Sequence, residues 1–126
     1  MGIAIADEAS ERGAQVILVL GPVDIMPHNQ DIKIINVLSA EEMARESRKY
    51  FNQCDIAILA AAVADYTPES VSVSKIKKKD KELLFRLKPT VDIAAELGKI
   101  KKESQILAGF ALETDNEQTK ARDKML

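Results

Sequence analysis

The sequence predicts an α/β protein, a doubly wound and mostly parallel sheet with one small β-hairpin-like insertion. Two observations predict the sheet. Short apolar runs at residues 15–20, 32–37, 55–59 and 105–112 alternate with amphipathic stretches, the order that sets helices between parallel strands. The run 55–59 is almost wholly apolar after Asp55, as a strand buried on both faces should be. A third observation predicts the insertion: a lysine-rich stretch breaks the alternation and leads into a period-two pattern at 82–87.

Each element has its own signal. Residues 2–12 read as a helix, with Ile3, Ala6 and Ala9 on one side and Asp7, Glu8 and Glu11 on another. Gly13 is placed to end it. The strand at 15–20 closes on the Gly21-Pro22 turn, and a loop holding Pro27, His28 and Asn29 leads to the β-branched strand at 32–37. Ser39 with Glu42 three residues later is a capping-box signature for a helix over 40–53, whose Met43, Tyr50 and Phe51 should face the sheet. The strand 55–59 then runs into Ala60-Ala61-Ala62. In the 82–87 run, Leu83, Phe85 and Leu87 alternate with Glu82, Leu84 and Arg86, an exposed or edge strand that Pro89 should stop. A helix is expected over 92–101, a strand over 105–112, and a last helix capped by Thr114 and Glu117. A helix that opens an α/β chain is unusual, and the expectation is one incomplete domain, truncated at both ends.

Composition narrows the function. With 46% hydrophobic and 30% charged residues, 126 residues suffice for one domain with a real core. No apolar run approaches the roughly 20 residues needed to span a bilayer. A single cysteine, Cys54, excludes an internal disulfide and a multi-cysteine metal site and points to a reducing, cytoplasmic setting. The single histidine, His28, excludes a histidine-rich metal centre and reads as a surface loop residue. A net charge of −2 lacks the footprint of a nucleic-acid binder, so any anion site is local.

Such a site is suggested where the 55–59 strand ends. Small residues at Ala60 and Ala61 would let a ligand approach the backbone, Asp65 is the first carboxylate beyond, and Lys75, Lys77, Lys78 and Lys79 follow. In open α/β sheets ligands sit outside the carboxyl ends of strands. Taken singly, the alanines also suit close helix packing, Asp65 a loop cap, and the lysines a solvated rim. Neither a Gly-x-Gly-x-x-Gly fingerprint nor a P-loop is present, which disfavours a dinucleotide-dependent oxidoreductase.

Order and spacing change those odds. Gly21-Pro22-Val23, Ser39-Ala-Glu-Glu-Met43, Ala61-Ala-Val-Ala-Asp-Tyr66, Lys75-Ile-Lys-Lys78, Asp92-Ile93, Gly109-Phe110-Ala-Leu-Glu-Thr114 and Ala121-Arg-Asp-Lys124 occur in this order along the whole chain. Together they resemble the phosphopantothenoylcysteine synthetase domain, the C-terminal half of a bifunctional flavoprotein family of bacterial coenzyme A biosynthesis. The resemblance implies a Rossmann-like three-layer fold, a homodimer, and a phosphopantothenate–cysteine ligase that uses CTP with Mg²⁺. It also implies a phosphopantothenoylcysteine decarboxylase fused upstream or paired, and no flavin in this domain. The substrates would be 4′-phosphopantothenate, cysteine and CTP. Nucleotide contacts fall on Leu59, Ala60, Ala61, Asp65, Lys75, Val91, Asp92, Ile93, Ala94, Phe110 and Lys124, with Lys75 the catalytic cation. Val91 stands where the family usually has proline. The family's opening strand and asparagine-containing loop would precede Met1, so these 126 residues are expected to bind nucleotide weakly and to form little product. The competing expectation is a non-catalytic nucleotide-binding module.

Overall fold

The apolar runs become strands, and they pair in parallel as their composition predicts. The structure, a computed structural model, describes residues 1–72, 74, 76 and 83–110. The order is α1 (Gly2–Glu11), β1 (Ile17–Leu20), β2 (Lys33–Asn36), α2 (Ala40–Phe51), β3 (Ile56–Leu59), β4 (Tyr66–Pro68), β5 (Leu87–Pro89), α3 (Ile93–Ile100) and β6 (Ile106–Gly109). β1 lies parallel to β2 with Leu18 opposite Ile34, and β3 parallel to β6 with Leu59 opposite Gly109. Among the described residues no ladder joins β1 to β3, so the parallel strands form two separate pairs.

α2 packs against β1, α3 against β6, and the two helices against each other. The deepest side chains come from these helices: Phe51 and Leu97 are each 2% exposed. Ala44 of α2 is buried with them, and Arg48 of α2 pairs with Glu96 of α3 across the helix contact. Gln105, which carries no apolar signal in the sequence, is buried as well. Its amide nitrogen donates to the Phe51 and Cys54 carbonyls at 2.7 and 2.8 Å, and its oxygen accepts from the Lys102 amide at 2.9 Å. One side chain thus joins the end of α2 to the entries of β3 and β6. The Cys54 thiol donates to the Phe51 carbonyl at 3.2 Å, and burial pushes its pKa up, which suits a packed thiol and not a nucleophile.

Helix ends follow the sequence signals closely. Gly13 adopts φ +90°, and the Gly13 and Ala14 amides donate back to the Ser10 and Ala9 carbonyls, a complete Schellman stop. Ser39 Oγ accepts from the Glu42 amide at 3.2 Å, and Glu42 reaches back to the Leu38 amide at 2.7 Å, one residue before the cap. Phe51 is buried as expected, while Tyr50 is half-buried, with Lys33 Nζ 4.8 Å from its ring centroid.

The insertion is where expectation and structure part. The alternating run does not form the strand: residues 83–86 are irregular, Glu82 lies outside the described residues, and β5 starts at Leu87 and includes Pro89. β5 pairs antiparallel with β4, Tyr66 opposite Pro89 and Pro68 opposite Leu87. The flanking bonds run from the Thr90 amide to the Asp65 carbonyl and from the Glu69 amide to the Arg86 carbonyl. Bonded and non-bonded pairs alternate in such a ladder, so both prolines fall in non-hydrogen-bonded pairs, where a missing N–H costs the ladder nothing. The strand expected over 105–112 runs from Ile106 to Gly109, with Gln105 and Phe110 outside it; residues 111–112 and the last helix, at 114 onward, lie outside the described residues.

Candidate functional site at the carboxyl edge of β3 and β6

Register assembles the site. Because Leu59 is paired with Gly109, Ala60 and Phe110 are the next residues out at the same edge of neighbouring strands. Phe110 is 60% exposed, and Ala61 is exposed beside a half-buried Ala60. A Cβ placed on Gly109 would meet nothing within 4 Å among the described residues. On the other side Ala60 faces the start of α1: a Cβ on Gly2 would lie 3.4 Å from the Ala60 Cβ, ordinary van der Waals contact. Ala60 thus lies beside the start of α1, and Ala61 is exposed.

A second convergence brings the start of α3 to the same region. Thr90 donates its amide to the Asp65 carbonyl at 2.8 Å and its hydroxyl to the Ala64 carbonyl at 2.5 Å. This double tie holds Val91, Asp92, Ile93 and Ala94 beside the segment that leaves β3. Sequence reasoning gave Thr90 no role. Its one signal was a hydroxyl two residues before a helix cap. Asp92 is that cap, its carboxylate accepting from the Ala95 amide at 2.9 Å. Of the amides at the helix start, those of Ile93 and Ala94 have no acceptor among the described residues and remain available to an anion. Asp65 is exposed, and its carboxylate accepts no hydrogen bond among the described residues.

Of the sequence-derived residues, Leu59, Ala60, Ala61, Asp65, Val91, Asp92, Ile93, Ala94 and Phe110 thus fall into two clusters at the carboxyl edge. Lys75 and Lys124 lie outside the described residues. Beside Val91 is a polar cavity of about 270 Å³, lined also by Glu41, Ala44, Arg45 and Arg48. A larger hollow of about 520 Å³ runs along α1 between Met1, Ala4, Ile5, Glu8, Ala9 and Arg12. It is apolar apart from the exposed Glu8–Arg12 pair, so it offers no convergent polar groups and no chemistry.

Parallel strand pairs with helices packed against them define a Rossmann-like α/β domain, with a small-residue segment, a helix N-terminus and an exposed aromatic toward the carboxyl ends of its strands. The model of the DNA/pantothenate metabolism flavoprotein C-terminal domain family matches residues 1–126, and the chain belongs to that family. It is 45% identical over 125 residues to the coenzyme A biosynthesis bifunctional protein CoaBC of Bacillus subtilis, covering 99% of this chain and 30% of that protein. It is 58% identical over 125 residues to a cysteine/cysteine sulfinic acid decarboxylase from an unknown prokaryotic organism, covering 99% of this chain and 35% of that one. A crystal structure of the C-terminal domain of CoaBC superposes with a TM-score of 0.83 at 38% identity, over 98% of this chain and 57% of that one. The chain therefore spans about a third of the curated relatives it matches. Among the described residues no helix is long and apolar enough to cross a membrane.

Proposed function

We propose that this chain supplies the nucleotide-binding part of a cytoplasmic phosphopantothenate–cysteine ligase. The observation that carries the proposal is the β3–β6 register, which sets the Ala60-Ala61 ledge beside Phe110 at one edge. In the proposed reaction a carboxylate oxygen of 4′-phosphopantothenate attacks the α-phosphorus of CTP, and pyrophosphate leaves. The amine of cysteine then attacks the acyl carbon of the acyl-cytidylate. CMP departs, the amine gives up a proton, and the amide remains.

The residues suit these steps. Phe110 offers a face for the base or ribose. The Ile93 and Ala94 amides point donors at an anion. Mg²⁺, carried in with the triphosphate, would neutralise its charge, and the exposed Asp65 carboxylate is the acidic group available at the edge for the metal's water shell or a ligand hydroxyl. Lys75 is proposed as the cation beside the developing charge, with Lys124 as a second. In support of a homodimer, the stretch around β4 and β5 is studded with exposed apolar side chains, including Val71 at 85%, Leu84 at 90% and Phe85 at 61%. The bifunctional relatives support a decarboxylase fused to or paired with this domain.

The test is CTP binding together with amide formation from 4′-phosphopantothenate and cysteine. Lys75→Gln is expected to lower turnover at least ~10²-fold, as loss of a transition-state electrostatic partner does, and Lys79→Gln to do little. Equal losses at both would mean a diffuse charge patch. A second reading is favoured by one observation, the decarboxylase name of the 58%-identical relative. In it the domain binds nucleotide without chemistry and serves a decarboxylase. CTP binding without release of pyrophosphate, in the protein with its natural neighbouring segments, would select that reading.

A further inference from the structure

α1 touches two regions at once, and the second has no place in the proposed chemistry. At its start Gly2 abuts Ala60 on the ledge. Five residues on, the Asp7 carboxylate gathers three donors from the connection between β1 and β2. Oδ1 accepts from the His28 amide at 2.8 Å and the Asn29 amide at 3.2 Å, and Oδ2 accepts from His28 Nδ1 at 3.0 Å. The network continues inside the connection: Asn29 Oδ1 accepts from the Asp31 amide at 2.9 Å, and the Asn29 carbonyl accepts from the Ile32 amide. The Asp7 side chain is 14% exposed, while the His28 side chain is 92% exposed and is held by this contact alone among the described residues.

The connection leaves the carboxyl end of β1 at Gly21, where ligands of open sheets sit. Between Gly21 and His28 no backbone–backbone hydrogen bond ties it down among the described residues, and Val23, Ile25 and Met26 are 53%, 68% and 51% exposed. Apolar packing therefore does not fix this stretch. Its far end is fixed, and the fixing group is a carboxylate on the helix that also abuts the ledge.

We propose that Asp7 is a positioning residue, which through the His28 and Asn29 amides sets where the 21–27 segment lies at the carboxyl edge. This rests on reading that edge as the ligand cleft. α1 then acts as a strut, with the ledge at one contact and the loop at the other. Glu8, its acidic neighbour, takes no part, because it is engaged with Arg12 on the exposed side.

Amide hydrogen exchange and ligand binding, measured on the same samples, test the proposal. Asp7→Ala should speed exchange of the His28 and Asn29 amides by at least about tenfold, with β1 and β2 amides unchanged. Affinity for CTP·Mg²⁺ or 4′-phosphopantothenate should fall by about tenfold. Asp7→Asn, which keeps an acceptor for the two amides, should recover much of the protection and part of the affinity. If Asp7→Ala does not fold, Asp7→Asn decides, with faster exchange at His28 expected. Unchanged exchange in the folded variants overturns the clamp. Faster exchange with undiminished affinity overturns the positioning role. A wild-type protein that binds neither ligand overturns the proposed function instead, and the exchange result still decides whether Asp7 fixes the loop.

Discussion

The two parallel strand pairs are built from similar residues and end up in different surroundings. In and beside β1–β2, Leu20, Ile32 and Val37 are 8%, 5% and 4% exposed. In β3–β6, Ile56, Ile58 and Ile106 are 56%, 43% and 57% exposed. The register explains which face is open: Ile56 lies opposite Ile106 and Ile58 opposite Ala108, so they share one face, while Ala57 and Leu107 share the half-covered other. Parallel strands are stable when both faces are covered. The first pair meets that condition more fully and serves as scaffold. The second carries the candidate site at its edge and keeps an apolar face open.

Substitutions can break this contrast, and the largest effect belongs to the covered side. Phe51→Ala should cost about 3–5 kcal/mol in a urea titration, whereas Ile106→Ala on the open face should cost well under the ~2–5 kcal/mol of a buried Ile→Ala. Comparable losses would mean that the open face is covered in solution. Next in size is the ledge. Ala61 is exposed, so Ala61→Leu should leave the melting temperature nearly unchanged while weakening CTP binding about tenfold or more, ~1.4 kcal/mol. Undiminished affinity would remove Ala61 from the site. Ser39→Ala should lower stability by about 1 kcal/mol in the same titration, through loss of the α2 cap.

The smallest effect is a pH dependence. The hydrogen bond from His28 holds the Asp7 carboxyl below its ordinary range, burial opposes it, and the Asn29 and His28 amides add to it. A depressed folded-state pKa contributes stability that is present above the ordinary carboxylate range and lost as pH falls through the folded value. The stability difference between wild type and Asp7→Asn should therefore shrink on acidification from neutral pH. A difference constant across that window would mean that the charge of Asp7 does not matter.

Local signals were legible wherever one residue type has one mechanism. Gly13 at positive φ and the Ser39–Glu42 cap are cases, since each was read from a few neighbouring residues. The β5 boundary was not, because the alternation of Leu83, Phe85 and Leu87 imitates a strand whose partner the sequence does not name. Pairing with β4 decides the boundary, and it tolerates a proline that local reasoning takes as a stop. Gln105 was missed for a similar reason, since its amide nitrogen donates to carbonyls some fifty positions earlier. The candidate site residues came from an ordered set of motifs. The tie that brings the start of α3 to the segment after β3, at Thr90, is a single polar side chain whose partner is distant in sequence, as is the Asp7 tie to the loop before β2.

The placement of Pro68 and Pro89 has a consequence for the open margins of the β4–β5 ribbon. In a two-stranded ribbon, residues of non-hydrogen-bonded pairs turn their backbone groups outward, toward any strand that might add itself. Pro68 occupies such a position on β4 and Pro89 on β5, so each outer margin lacks a donor where a growing sheet would need one. A ribbon bordered by exposed leucines and a phenylalanine would otherwise be a hazard for fibril-like stacking. Strand addition along either margin of this arm is thereby disfavoured, although its flanks are apolar.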